Sequence, residues 1–231
     1  LPLLGFLWLS INSIVKNIRI EHEMQTIAPL TELSVVYSEL VHELQKERGM
    51  TAGYLGSGGT QFANQLKSQR QDTDQKSTKK SSFWREHDFT SSKIVQLNSA
   101  IETSLQKIST IRGQVDAQSI TMSEALSYYT QLNKQLLSVA ILNSEISSNA
   151  LITKETIAYF NFLQGKERAG IERAVLSNTF AKQSFGQSMY AKFITLVSEQ
   201  NTYFDGFKSF SNSTNIAYFD SSLDNQGDFR T

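Results

Sequence analysis

Proline is nearly missing from this chain. There are two in 231 residues, Pro2 and Pro29. Proline breaks helix interiors by removing a donor and crowding the preceding turn, so beyond residue 29 nothing of that kind interrupts a helix. Apolar residues there recur at steps of three and four, the period of a helix with one buried face. From Ser10 to Tyr54 the stripe Ile14, Ile18, Met24, Ile27, Leu30, Leu33, Val36, Leu40, Leu44 predicts one long helix or two in line, with Pro29 as a kink or a fresh start. The glycines Gly53, Gly56, Gly58 and Gly59 end it.

The pattern continues downstream. Phe62 to Lys79 predicts a polar helix, and Ser91 to Gln114 an amphipathic one carrying Ile94, Leu97, Ile101, Leu105, Ile108 and Ile111. Thr121-Met122-Ser123-Glu124 is a capping box that opens the next helix. That helix is expected to run without a break to Phe160, with Asn143 near its stripe as a polar residue that sets register. Phe180, Phe185, Tyr190, Phe193, Tyr203, Phe204, Phe207 and Phe210 follow at helical spacing and are read as core. The expected fold is therefore all-α: long up-and-down helical bundles, two stacked four-helix-type bundles sharing long helices.

Composition removes several function classes. Lys plus Arg and Asp plus Glu are each 22, so there is no basic excess and nucleic-acid binding is set aside. With no cysteine there are no disulfides, thiolate nucleophiles or zinc-thiolate sites. His22, His42 and His87 fall in no metal-binding spacing, and no Gly-x-Ser-x-Gly elbow occurs. Neither a metal, nor a cofactor, nor an enzyme activity is expected. The run Leu1 to Val15 is apolar and uncharged until Lys16. It is short of the roughly 20 residues that span a bilayer. It is read as the end of a truncated transmembrane helix over residues 1–18, with Trp8 at an interface and residues 19–231 as a helical domain. A buried amphipathic helix or a signal-peptide remnant is the alternative.

Two segments echo each other: Leu44-Gln45-Lys46-Glu47-Arg48-Gly49 and Leu163-Gln164-Gly165-Lys166-Glu167-Arg168-Ala169-Gly170, the second running on into Glu172-Arg173-Ala174. Arginine inside an apolar stripe needs a partner. Taken alone, the pattern favours pairing with neighbouring glutamates, as Arg168 and Glu172 stand four apart. Anion capture is the other reading. A guanidinium is a planar fork of donors, and the small residues Gly49, Ala52, Gly53, Ala169, Gly170 and Ala174 would leave room for a small anion.

At these residues the chain resembles the nitrate- and nitrite-sensing (NIT) domain family. Leu44 to Gly49, the glycine turn Tyr54 to Gly59 and the Gln-Arg-x-x-Thr-Asp run at Gln69 to Asp74 are similar to the family's first signature. Lys166, Glu167, Ala169, Gly170, Glu172, Arg173 and Ala174 are similar to its second. The resemblance covers roughly residues 27 to 219. It implies helical bundles and nitrate or nitrite as ligand, held by arginines of the two signatures, Arg48 and Arg173. Arg168, Gly49 and Arg70 rank below them, with Arg70 read as a structural partner of Asp72 or Asp74. Nitrate and nitrite are flat and all acceptor, which suits the fork. The function expected is the ligand-binding region of a bacterial membrane signalling receptor. It is expected to be anchored in the inner membrane with this region periplasmic or extracytoplasmic, a homodimer, and without nucleic-acid partners. The alternatives are a sensor of another small anion or organic acid, or a helical protein-interaction module.

Overall fold

The computed structural model describes residues 2–186 and 188–224. Among these the chain forms α1 (Pro2–Gly56), α2 (Ala63–Glu86), α3 (Ser92–Leu105), α4 (Ile108–Asp116), α5 (Met122–Leu137), a 3₁₀ turn (Ser138–Ile141), α6 (Leu142–Ile146), α7 (Ala150–Lys182), α8 (Met189–Phe210) and α9 (Ser213–Asp224). The all-helical up-and-down architecture expected from the sequence is the one observed.

Helix α1 is the axis. It continues through Pro29 without ending, and it packs against α2, α5 and α7, while α8 lies along α7. Its burial begins at Ile27, and Leu33, Leu40 and Leu44 are fully enclosed. They meet Ile94 and Ile101 from α3 and Tyr129, Leu132 and Leu136 from α5 in the main core. The end of α1 closes where Gly58 (φ 61°) and Gly59 (φ 81°) adopt left-handed backbone that a β-carbon would strain. Residues before Ile27 extend past this packing. Leu3, Leu4, Phe6, Leu7, Trp8 and Leu9 are exposed, and this stretch of α1 is long and apolar enough to cross a membrane by length and composition alone.

Three boundaries differ from the sequence reading. The 91–114 helix is split, because Gln106 and Lys107 tighten into a turn in which the Lys107 N–H reaches back only three residues to Ser104. The helix opened by Thr121 stops at Leu137, and a new one starts at Ala150, where the Asn149 side chain accepts from the Leu151 N–H. No proline or glycine marks that break, so apolar period alone ran the two together. Helix α2 continues beyond Lys79 to Glu86. The Thr121–Glu124 capping box forms in full. The Asn143 side chain lies outside the described residues.

The aromatic run divides. Phe207 and Phe219 are buried with Ala158 and pack on Phe162 and Phe204, tying α7, α8 and α9 together. Phe180, Phe185, Tyr190 and Phe210 are exposed instead. Gly165 allows α8 to approach α7, since a β-carbon there would lie 2.5 Å from the Phe204 ring.

Two stability outcomes follow, both readable by thermal or denaturant unfolding. Thr121→Ala removes the cap acceptor and lowers stability by about 1 kcal/mol. Gly165→Ala lowers it by about 1–3 kcal/mol through overpacking, less the gain of about 1 kcal/mol in helix propensity.

Candidate functional site

The two echoing segments do meet, at a carboxylate. Arg48 leaves α1 with no exposed surface, and Glu167 of α7 is 3% exposed. Nη1 of Arg48 donates to Glu167 Oε1 at 2.5 Å and Nη2 to Oε2 at 3.3 Å. Glu167 Oε2 also accepts from Gln45 Nε2 at 2.7 Å and from Asn133 Nδ2 at 3.3 Å. Nη1 of Arg48 reaches Thr130 Oγ1 of α5 at 3.0 Å. Gly170 makes the arrangement possible, because a β-carbon there would sit 2.8 Å from Arg48 Nη2. Gln45 and Arg48, three apart on α1, thus grip the first turns of the second signature.

The guanidinium is not saturated. Arg48 Nε is buried without a hydrogen-bond partner among the described residues, as is Asn133 Oδ1. Arg48 also forms part of the wall of a cavity of about 320 Å³ between α1, α5, α7 and α8. Ser123, Ser127, Thr130 and Gln131 supply polar groups to that wall, Lys192 a second cation, and Leu126, Ile171 and Leu196 the apolar part. None of the lining residues is acidic. Such a wall suits a small anion, with donors and positive charge in a partly dry space.

The residue before Arg48 faces a different way. Glu47, also fully buried, accepts from Arg112 Nε at 2.8 Å and Nη2 at 2.9 Å, and from the Tyr129 hydroxyl at 2.7 Å. Burial, followed by the Glu47 charge, holds the Tyr129 phenol well above its ordinary pKa, so it stays a donor. Burial works against the charged form of Arg112, but Glu47 and Asp74 outweigh it and raise its pKa.

The other sequence candidates are dispersed. Arg70 pairs bidentately with Asp116 at 2.8 Å, and it is Arg112 that takes Asp74. Arg168 is pinned to α8, donating to Glu199 at 2.8 Å and Tyr203 at 3.3 Å, and to Gln164 at 2.7 Å within its own helix. Its expected partner Glu172 instead accepts from Gln200. Gly49 is half-buried with open space where a β-carbon would be, so no close approach requires a glycine there.

Arg173 is exposed and is not part of the Arg48 cavity wall. Its charge acts on Lys166 and His42. Burial first, then Arg173, lowers the Lys166 pKa. For His42 burial leads, followed by Lys166, with Lys46 and Arg173 adding to the lowering. Arg173, itself on α7, therefore does not line the cavity that Arg48 borders. Thr130, Asn133 and Lys192 escaped the sequence reading, since each is an ordinary polar residue on an amphipathic helix. For Gln45 a signal existed: it shares a face with Arg48. Among the described residues no group of His, Asp or Glu is placed to hold a metal.

Comparison with known proteins bears on this site. A family model described as nitrate and nitrite sensing matches residues 39–231. A nitrate regulatory protein of Klebsiella oxytoca is 25% identical over 200 residues, 86% of this chain and 50% of that protein. The solved structure of the NasR transcription antiterminator superposes with a TM-score of 0.82 at 24% identity, covering 91% of this chain and 58% of that one. The chain thus spans about half the length of these relatives. They overturn the membrane-receptor reading, because one is a regulatory protein and the other a transcription antiterminator. Inner-membrane anchoring, periplasmic placement and the exclusion of nucleic-acid partners all fall with it. Their physical basis was thin: one stretch of α1 that could span a membrane by length and composition alone, and an even charge balance, say little about where a chain works. What the second signature and the site around Arg48 had in common with a known group of proteins is shown across most of the sequence: the chain belongs to the nitrate- and nitrite-sensing (NIT) family.

Proposed function

We propose that this chain binds nitrate or nitrite in the cavity beside Arg48 and serves as the anion-sensing part of a regulatory protein. The observation that carries this is the state of Arg48. It is fully buried, it keeps one donor without a partner, and it borders a cavity whose lining residues include a second cation and no acid. A buried donor left unmade costs on the order of 1–3 kcal/mol, and a planar acceptor anion in the cavity would recover it. Glu167 holds the Nη1–Nη2 edge of the fork, so Nε is the donor that remains to be satisfied. The hydroxyls of Ser123, Ser127 and Thr130 add donors. Arg173, with Lys166, acts from outside as a source of positive field that draws anions to the domain.

A signal arises if the anion favours one arrangement of α1, α5 and α7 over another, since a ligand shifts an equilibrium only by its differential affinity. All three helices share the Arg48 contacts, so a change there is felt by each. The apolar part of the wall supports one second reading, a small organic acid whose carboxylate takes the place of nitrate.

Isothermal titration with nitrate, nitrite, acetate, chloride and sulfate tests the reading. Heat with nitrate or nitrite is expected. Heat with acetate alone favours the organic acid, and no heat with any planar anion overturns the site. Arg48→Lys keeps the charge but loses the fork, and is expected to weaken nitrate at least about tenfold, or 1.4 kcal/mol. Arg48→Ala abolishes binding and also strands Glu167, costing about 3–5 kcal/mol of stability.

A further inference from the structure

We infer that Glu167 is a built-in stand-in for the anion. Its carboxylate occupies donors that a planar anion would otherwise take, and so sets how much anion is needed. This rests on the proposed binding at Arg48.

A carboxylate and a nitrite are alike as hydrogen-bond acceptors: planar, singly charged, with two oxygens on one central atom. The groups around Glu167 form an anion-binding set. The fork of Arg48 and the amides of Gln45 and Asn133 all point donors at its two oxygens. Every one of those donors comes from α1 or α5, whereas the acceptor comes from α7. The set would therefore remain assembled if α7 withdrew, and would suit a free anion of the same shape.

The cluster is also incompletely satisfied. Arg48 Nε and Asn133 Oδ1 are both buried and unpartnered among the described residues. An unpaired buried polar group is costly in this low-dielectric setting, so a ligand that completes the network is favoured. Gly170 keeps α7 close enough for Glu167 to reach, with Arg48 Nη2 lying 2.8 Å from where a β-carbon would be.

An incoming anion and Glu167 then contend for one guanidinium. Both are negative and within a few ångströms of each other, in a setting where like charges repel strongly. Either the carboxylate yields part of the fork or the anion is held weakly. Affinity for the anion and the position of α7 become two readings of one equilibrium. The carboxylate thus serves as threshold and as mechanical link.

Removing the carboxylate tests this. Glu167→Ala and Glu167→Gln are titrated calorimetrically with nitrite, nitrate, formate, chloride and sulfate beside the wild-type chain, and melting temperatures are taken in each salt. Glu167→Ala is expected to melt lower in chloride and to be restored selectively by the planar anions formate, nitrite and nitrate. Nitrite or nitrate should bind both variants at least about tenfold more tightly than wild type. Wild-type binding with equal or weaker binding by the variants overturns the inference and leaves the proposed function standing. Binding by the variants alone supports the stand-in role but overturns nitrate sensing by the wild-type chain. No binding by any of the three overturns both. Should Glu167→Ala fail to fold even with planar anions, the restoration claim is overturned, and Glu167→Gln, which keeps the shape and loses the charge, decides the threshold claim.

Discussion

Two adjacent residues of opposite charge, Glu47 and Arg48, are both sealed inside the bundle, and the positions of the other helices follow from how they are satisfied. Taking a charge out of water costs several kcal/mol even after relaxation, unless partners repay it. Consecutive residues on a helix point about 100° apart, so the two demands fall on different neighbours. Glu47 recruits Arg112 from α4 and Tyr129 from α5, and Arg112 in turn takes Asp74 from α2. Arg48 recruits Thr130 from α5 and Glu167 from α7. One dipeptide on α1 thereby specifies which face of four other helices turns inward.

Buried ion pairs of this kind seldom add much stability over a well-packed apolar core, and they cost heavily when half of one is removed. The apolar contacts of Leu33, Leu40, Leu44, Ile101 and Leu132 do the work of condensation. The charged cluster decides something else: how α1, α5 and α7 sit relative to one another. That is where a small change in charge can alter helix positions, which is the physical basis of the sensing proposed for the cavity beside Arg48. The rim pairs, such as Arg168 with Glu199, are half-exposed and weigh little by comparison.

The second signature shows how far residue spacing reaches. Arg168, Glu172 and Arg173 stand within six positions of one another, and helical geometry sends them to separate surroundings: α8 for Arg168, Gln200 for Glu172, and the outer face with Lys166 and His42 for Arg173. The residue that does reach Arg48 is Glu167, which the local pattern had offered only as an ion-pair partner for arginines. The pairing reading of the echoes holds in a changed form. Arg48 is ion-paired, but to a glutamate 119 positions away rather than to a neighbour, and it also borders a cavity with no acidic lining residue.

The sequence by itself determined the helical class, the main stripe of α1, the capping box at Thr121 and the two signatures, because each depends on contacts within a few residues along one helix. It also pointed to Arg48, since a charge in an apolar stripe announces itself by position. The break between α5 and α7 was illegible, for apolar period does not record where a chain reverses. Only the tertiary structure decided that Arg48 meets Glu167, that Arg112 rather than Arg70 holds Asp74, and that Arg173 lies outside the cavity. Those outcomes depend on the rotation of one helix against another, and that rotation is set by the summed packing and charge pairing of the whole bundle rather than by any segment alone.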